Sequence, residues 1–117
     1  MYDDSNIFAR ILRGEIPCKK VYEDDHTLAF EDINPKAPVH TLIIPKGNYV
    51  SVTDFTEKAS DAEIAALMRA VRKVAELKGV DAGGYRLIAN TGTDGGQEVP
   101  HFHFHILGGR PLGGRIV

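Results

Sequence analysis

The chain has no tryptophan, two methionines and a single cysteine among its 117 residues. Cys18 has no partner for an internal disulfide, which fits a reducing compartment and excludes a disulfide-stapled fold. An excess of charge of either sign is lacking as well. Fourteen Lys and Arg stand against sixteen Asp and Glu, a net charge of −2, with no basic block. A nucleic-acid partner held by bulk electrostatics is therefore excluded. No apolar run approaches the ~20 residues that span a bilayer. The opening MYDDSNIFAR is acidic where a secretory leader is basic. There is no internal repeat, low-complexity tract or linker. What remains is a single domain over residues 1–117, expected to be soluble and cytoplasmic, whose 43% hydrophobic and 26% charged residues are those of an ordinary globular protein.

What is present is runs of strands with two helices set apart. Residues 4–13 read as a short helix, with Asp4 or Ser5 as its cap, an apolar face of Ile7, Phe8, Ile11 and Leu12, and Gly14 after its end. VYED (21–24) and TLAFEDI (27–33) read as a hairpin, and VHTLIIP (39–45) as a third strand. Ser60 and Glu63 form a capping box for a second helix that Gly79 ends. Its stripe is Ile64, Leu67, Met68, Val71, Val74 and Ala75. Ala65, Ala66 and Ala70 widen that stripe, for which a second subunit and plain helix propensity are both explanations. GYRLIAN (84–90) is a fourth strand, TGTDGGQEV a glycine-rich loop, and HFHFHIL (101–107) a fifth strand closed by Gly108 and Gly109. The fold class expected is α+β, a five-stranded antiparallel sheet with two helices.

The last strand carries the chemistry. Residues i, i+2 and i+4 of a strand share a face, ~6.8 Å apart per step of two. His101, His103 and His105 thus share one face, and Phe102, Phe104 and Ile106 line the other, the core. Three uncovered imidazoles in an apolar core would leave costly unsatisfied groups, so the histidine face is expected to look into something polar. Three explanations are open: a solvent-facing strand, a metal site completed by a remote ligand such as Asp32 or His40, and phosphoryl chemistry. A neutral imidazole is a good nucleophile, and its neighbour can bind phosphate or donate a proton. Gly92, Gly95 and Gly96, just before the strand, free the backbone to form an anion-binding nest.

HFHFHIL resembles the H-φ-H-φ-H-φ-φ signature (φ apolar) of the histidine triad superfamily. IFARILRGEIP (7–17), FEDINPKAPVHTLIIPK (30–46) and NTGTDGGQEVPHFHFHILGGRPLG (90–113) resemble its nucleotide-binding branch, Hint, over nearly the whole chain. The resemblance implies a homodimer with one continuous sheet. It also implies hydrolysis of purine nucleoside phosphoramidates to AMP or GMP, with no metal and no cofactor. By the same resemblance His103 is the nucleophile that carries a nucleotidyl intermediate, and His105 contacts the phosphate. The main-chain carbonyl of His101 orients the ring of His103, and His40 supports the triad. Asp32 is implied for the ribose hydroxyls, and Phe8, Ile11, Ile33 and Leu42 for the base. Asn90 and the amides of Gly96, Gln97 and Glu98 are implied for the phosphate.

Three positions depart from that pattern. Glu98 stands where many relatives have Ser, and the expectation is that it disfavours anionic leaving groups. Asn48 replaces a histidine often found after IPK, and GGRPLGGRIV lacks the aromatic tail of some members. Two other functions compete: a dinucleoside polyphosphate hydrolase, disfavoured by Asn90, and a nucleotide-binding or partner-binding module with little turnover.

Overall fold

Asn6, rather than Asp4 or Ser5, caps the first helix. Its side chain accepts from the Ala9 amide at 2.9 Å, because Ser5 is turned back onto the carboxylate of Asp3. In the computed structural model, which describes residues 1–114, α1 is accordingly the short helix Ile7–Leu12. The expected domain runs on to residue 117, so its last three residues lie outside the described part. Gly14 follows α1 with φ of +79°, the left-handed geometry expected of it.

Five strands follow the expected order: β1 (Lys20–Glu23) and β5 (Phe104–Gly108) are displaced from their expected bounds, β2 (Thr27–Glu31) and β4 (Tyr85–Ala89) are shortened, and β3 (Val39–Pro45) keeps its own. They form one antiparallel sheet ordered β1-β2-β3-β5-β4. β2 stops before Asp32 because that carboxylate accepts the Asn34 amide and starts the turn. β5 is shorter than expected. Its ladder begins at Phe104, opposite Ile43 of β3 and Ala89 of β4, so His101, Phe102 and His103 precede the strand.

The helix count is corrected from two to three. The capping box at Ser60 opens α3 (Asp61–Leu77) as expected, but α2 (Val52–Lys58) precedes it. Its β-branched Val52, Thr53 and Thr56 disguise it in sequence. Ser51 accepting the Asp54 amide and the Lys58–Asp54 pair at 2.8 Å hold it in place. Within α3 the buried stripe is Leu67, Ala70, Val71, Val74 and Ala75, whereas Met68 is 51% exposed.

α2 and α3 cover one face of the sheet, packing Phe55, Leu67 and Val74 on Ile43, Phe102, Phe104 and Ile106. On the other face Phe8 of α1 packs on Leu28, Phe30, Leu42 and Ile44. The expected phenylalanine face is thus core, and the histidines lie on the α1 side.

Candidate active site

A cleft of about 240 Å³ opens on that side. It gathers Phe8, Asp32, His40, Leu42, Asn90, Gly96, Glu98, His103 and His105, drawn from regions far apart in sequence. An adjoining slot of about 250 Å³ shares Phe8, Asp32, Leu42 and Glu98 with it, and adds Ile11, Ile33 and Phe30. One is lined by imidazoles and carboxylates, the other mostly by apolar side chains. Lys36 and Asn34 also line the first cleft, and Val99 lines both. The sequence reading missed all three. NPKAP, a two-proline loop holding a lysine four residues before His40, was the available signal for Lys36.

The three triad histidines differ sharply in surroundings. His101 is fully buried, away from the cleft, which corrects the expectation that all three face a polar space. Both its nitrogens are satisfied. Nε2 donates to the Pro45 carbonyl at 2.8 Å, and Nδ1 accepts the Tyr2 hydroxyl at 2.5 Å. Burial holds its pKa down to about 4, so it is neutral at physiological pH.

His103 is 6% exposed, its ring packed edge-on against Phe8 with centroids 4.9 Å apart. Its Nδ1 donates to the His101 carbonyl oxygen at 2.7 Å. A carbonyl only accepts, so the proton sits on Nδ1 and Nε2 carries a lone pair. Burial lowers its pKa, against the opposing pull of the bond to His101 and of the Asp32 and Glu98 carboxylates. Among the described residues its Nε2 has no hydrogen-bond partner, and it is not sealed from solvent.

His105 presents the opposite polarity, set by a chain of bonds that starts on the backbone. The Lys36 amide donates to His40 Nδ1 at 3.0 Å, which places the His40 proton on Nε2. His40 Nε2 lies 2.9 Å from His105 Nδ1 and 3.3 Å from Asp32 Oδ2, so its N–H is shared between the two. His105 Nδ1 is therefore an acceptor, and its remaining N–H is on Nε2. Burial, then the neighbouring His103 and His40, hold the His105 pKa down to about 4. His40 is likewise lowered, by burial foremost. The His40–Asp32 contact is therefore a neutral imidazole donating to a carboxylate rather than an ion pair. Pairing explains the contact: Leu42 sits opposite His105 in the β3–β5 ladder, and His40 is the next residue on that face.

Donor atoms of Asp32, His40 and His105 all lie within 4.8 Å of one another, the only such grouping of metal-ligating side chains among the described residues. The 2.9 Å His40–His105 separation is a hydrogen bond. Two nitrogens on a tetrahedral zinc would stand roughly 3.3 Å apart. The bond also uses the nitrogens that a metal would need.

The glycine-rich loop reaches the cleft of His103 and His105 at Gly96. Gly96 has φ of +73°, and a side chain at Gly95 would run into the Thr91 backbone. Asn90 Nδ2 braces the loop through the Gly95 carbonyl at 2.7 Å. Gln97 does not reach the cleft. Its side chain donates to the Val50 and Val99 carbonyls and accepts the Gly92 amide, stapling the loop to the body. The Gly96 and Gln97 amides donate to Thr93 and Gly92. Of the three amides the resemblance implies for the phosphate, only that of Glu98 has no backbone acceptor among the described residues.

The HIT domain model matches residues 13–112. An uncharacterised 13.2 kDa HIT-like protein of Azospirillum brasilense is 59% identical over 115 residues, covering 98% of this chain and 94% of its own. The purine nucleoside phosphoramidase of Escherichia coli K12 is 47% identical over 110 residues, covering 94% and 92%. A histidine triad protein of Clostridium difficile superposes with a TM-score of 0.86 at 45% identity, covering 99% of this chain and all of that one. With residues 13–112 of its 117 under the family model and close relatives matched over nearly its whole length, the chain belongs to the HIT domain family.

Proposed function

We propose that this protein is a purine nucleoside phosphoramidase acting by double displacement on His103. The observation that carries the reading is the opposed polarity of two adjacent imidazoles, a lone pair on His103 Nε2 and an N–H on His105 Nε2, with ring centroids 5.0 Å apart. Nucleophilic attack at phosphorus needs the first, and the charge that grows on the phosphate oxygens needs the second. Both are neutral, so neither must lose or gain a proton before substrate arrives.

In this account the base enters the apolar slot between Ile33, Leu42, Phe8 and Ile11, and Asp32 takes the ribose hydroxyls. The His103 Nε2 lone pair attacks the phosphorus while the P–N bond breaks, its electron pair leaving with the nitrogen, which takes a proton from solvent and departs as the amine. Water then attacks the same phosphorus and returns a proton to solvent, the P–Nε2 bond breaks with its electron pair going back to His103, and AMP or GMP departs. Asn90 and the Glu98 amide, whose residues line the cleft, take the phosphate. The 47% identity to the Escherichia coli phosphoramidase over 92% of its length supports this choice of reaction over hydrolysis of dinucleoside polyphosphates.

We further expect a homodimer. β4 is an edge strand with Tyr85 39% and Leu87 38% exposed, and an unpaired edge of this kind invites continuation of the sheet by a second copy. The function is tested by mixing the protein with an adenosine 5′-phosphoramidate bearing a reporter amine. Release of AMP and amine is expected. Tight AMP binding without release would favour a nucleotide-binding module instead.

A further inference from the structure

We propose that Tyr2 is a positioning residue for the nucleophile, acting through His101. The segment that carries the acceptor for His103 is not held by the sheet, since the β5 ladder begins only at Phe104. Three bonds replace the missing ladder. Phe102 donates its amide to the Tyr49 carbonyl at 2.8 Å, His101 Nε2 donates to Pro45, and Tyr2 donates its hydroxyl to His101 Nδ1. Two of the three act on the His101 side chain, and the carbonyl of that residue is the acceptor that orients His103.

The hydroxyl is suited to the task. Pro45 accepts only, so it fixes the His101 proton on Nε2 and leaves a buried lone pair on Nδ1. A buried acceptor without a donor drives its ring to turn or to change tautomer. Either change breaks the Pro45 bond and loosens the carbonyl beneath His103. Tyr2 closes off both routes, and its ring meets that of His101 edge-on at 5.6 Å and 72°.

The chain before α1 is built to deliver this hydroxyl. Asn6 caps α1 through its oxygen and with its side-chain N–H holds the Asp3 carbonyl at 2.7 Å. Arg13 holds the Asp4 carbonyl at 2.8 Å. Residues 2–6 are thereby folded back along α1, the helix whose Phe8 also packs on His103.

This inference rests on the reading of His103 as nucleophile, and its test separates the two. Tyr2→Phe keeps the ring and removes the hydroxyl. With an adenosine 5′-phosphoramidate, kcat is expected to fall roughly fivefold while KM stays within about twofold, since the lost contact touches no substrate group. In the full chain with ¹⁵N-labelled histidine, the His101 Nδ1 resonance is expected to move and the His103 ring resonances to broaden or split. Unchanged kcat with unchanged His103 resonances overturns the proposal. So does a fall in kcat with wild-type His103 resonances, which would mean a general loss of stability. If the wild-type protein releases no amine, the phosphoramidase reading fails. The His103 resonances then decide alone: a change in Tyr2→Phe upholds the coupling, and no change overturns it.

Discussion

His103 Nδ1 donates to the carbonyl oxygen of His101, two residues before it, across 2.7 Å. That one bond decides the chemistry of the cleft, because it leaves Nε2 of a neutral imidazole as a lone pair with no partner among the described residues. The second imidazole, His105, is given the opposite polarity by a bond from His40, whose own tautomer is set by the Lys36 amide. Backbone groups thus select the protonation of both rings.

His103→Ala removes the nucleophile and leaves the cleft otherwise intact. Turnover of an adenosine 5′-phosphoramidate is expected to drop by at least about 10³-fold. AMP affinity, read by calorimetry, is expected to change little, because the apolar slot and Asp32 remain.

His40→Ala deprives His105 Nδ1 of its donor, so His105 no longer holds its proton on Nε2 alone. A fall in kcat of roughly tenfold to a hundredfold is expected, with the smaller effect on KM. Steady-state kinetics at fixed pH read both.

Acid stability follows from the buried imidazoles. His101 and His105 have folded-state pKa values of about 4 against an ordinary 6.5, chiefly through burial. Between those values the unfolded chain takes up protons that the folded chain refuses, so stability is complete above pH 6.5 and is lost as pH falls towards 4. For His101 alone the loss is of the order of 3 kcal/mol when complete. The urea midpoint is expected to hold from about pH 8 to 7 and to fall steadily below pH 6.5. A midpoint that stays flat down to about pH 4.5 would contradict the assignment of neutral, buried rings.

Glu98 lines both the imidazole cleft and the apolar slot, and among the described residues its carboxylate makes no hydrogen bond or ion pair. It is expected to disfavour anionic leaving groups. The ratio of kcat/KM for a lysine amidate to that for an acidic amino-acid amidate is expected to fall severalfold in Glu98→Gln. Equal ratios in the two proteins would reject this role.

Much of the fold was legible because its signals were local. The Ser60–Glu63 box fixed the start of α3, and the β-branched run at 39–45 matched β3 residue for residue. α2 was not read, although Ser51 and Asp54 carry a capping pattern, because three of its seven residues are β-branched. In the site, strict alternation correctly put Phe102, Phe104 and Ile106 in the core. It erred on His101, whose partners Tyr2 and Pro45 lie 99 and 56 residues away in sequence. Periodicity assigns a face, but whether a polar group on that face meets solvent or a distant donor is decided by tertiary packing. Gln97 escaped the reading for the same reason, since the carbonyl of Val50 that holds it is contributed by a different loop.

The central claim is a covalent bond between phosphorus and His103 Nε2, and the direct measurement is to trap it. The protein is mixed with excess adenosine 5′-phosphoramidate and EDTA, quenched within a turnover, and its intact mass and proteolytic fragments are recorded. The account predicts one AMP moiety on the fragment containing His103, none in His103→Ala, and full turnover in the chelator. Wild-type turnover with no adduct, or turnover abolished by EDTA and restored by zinc, would contradict it.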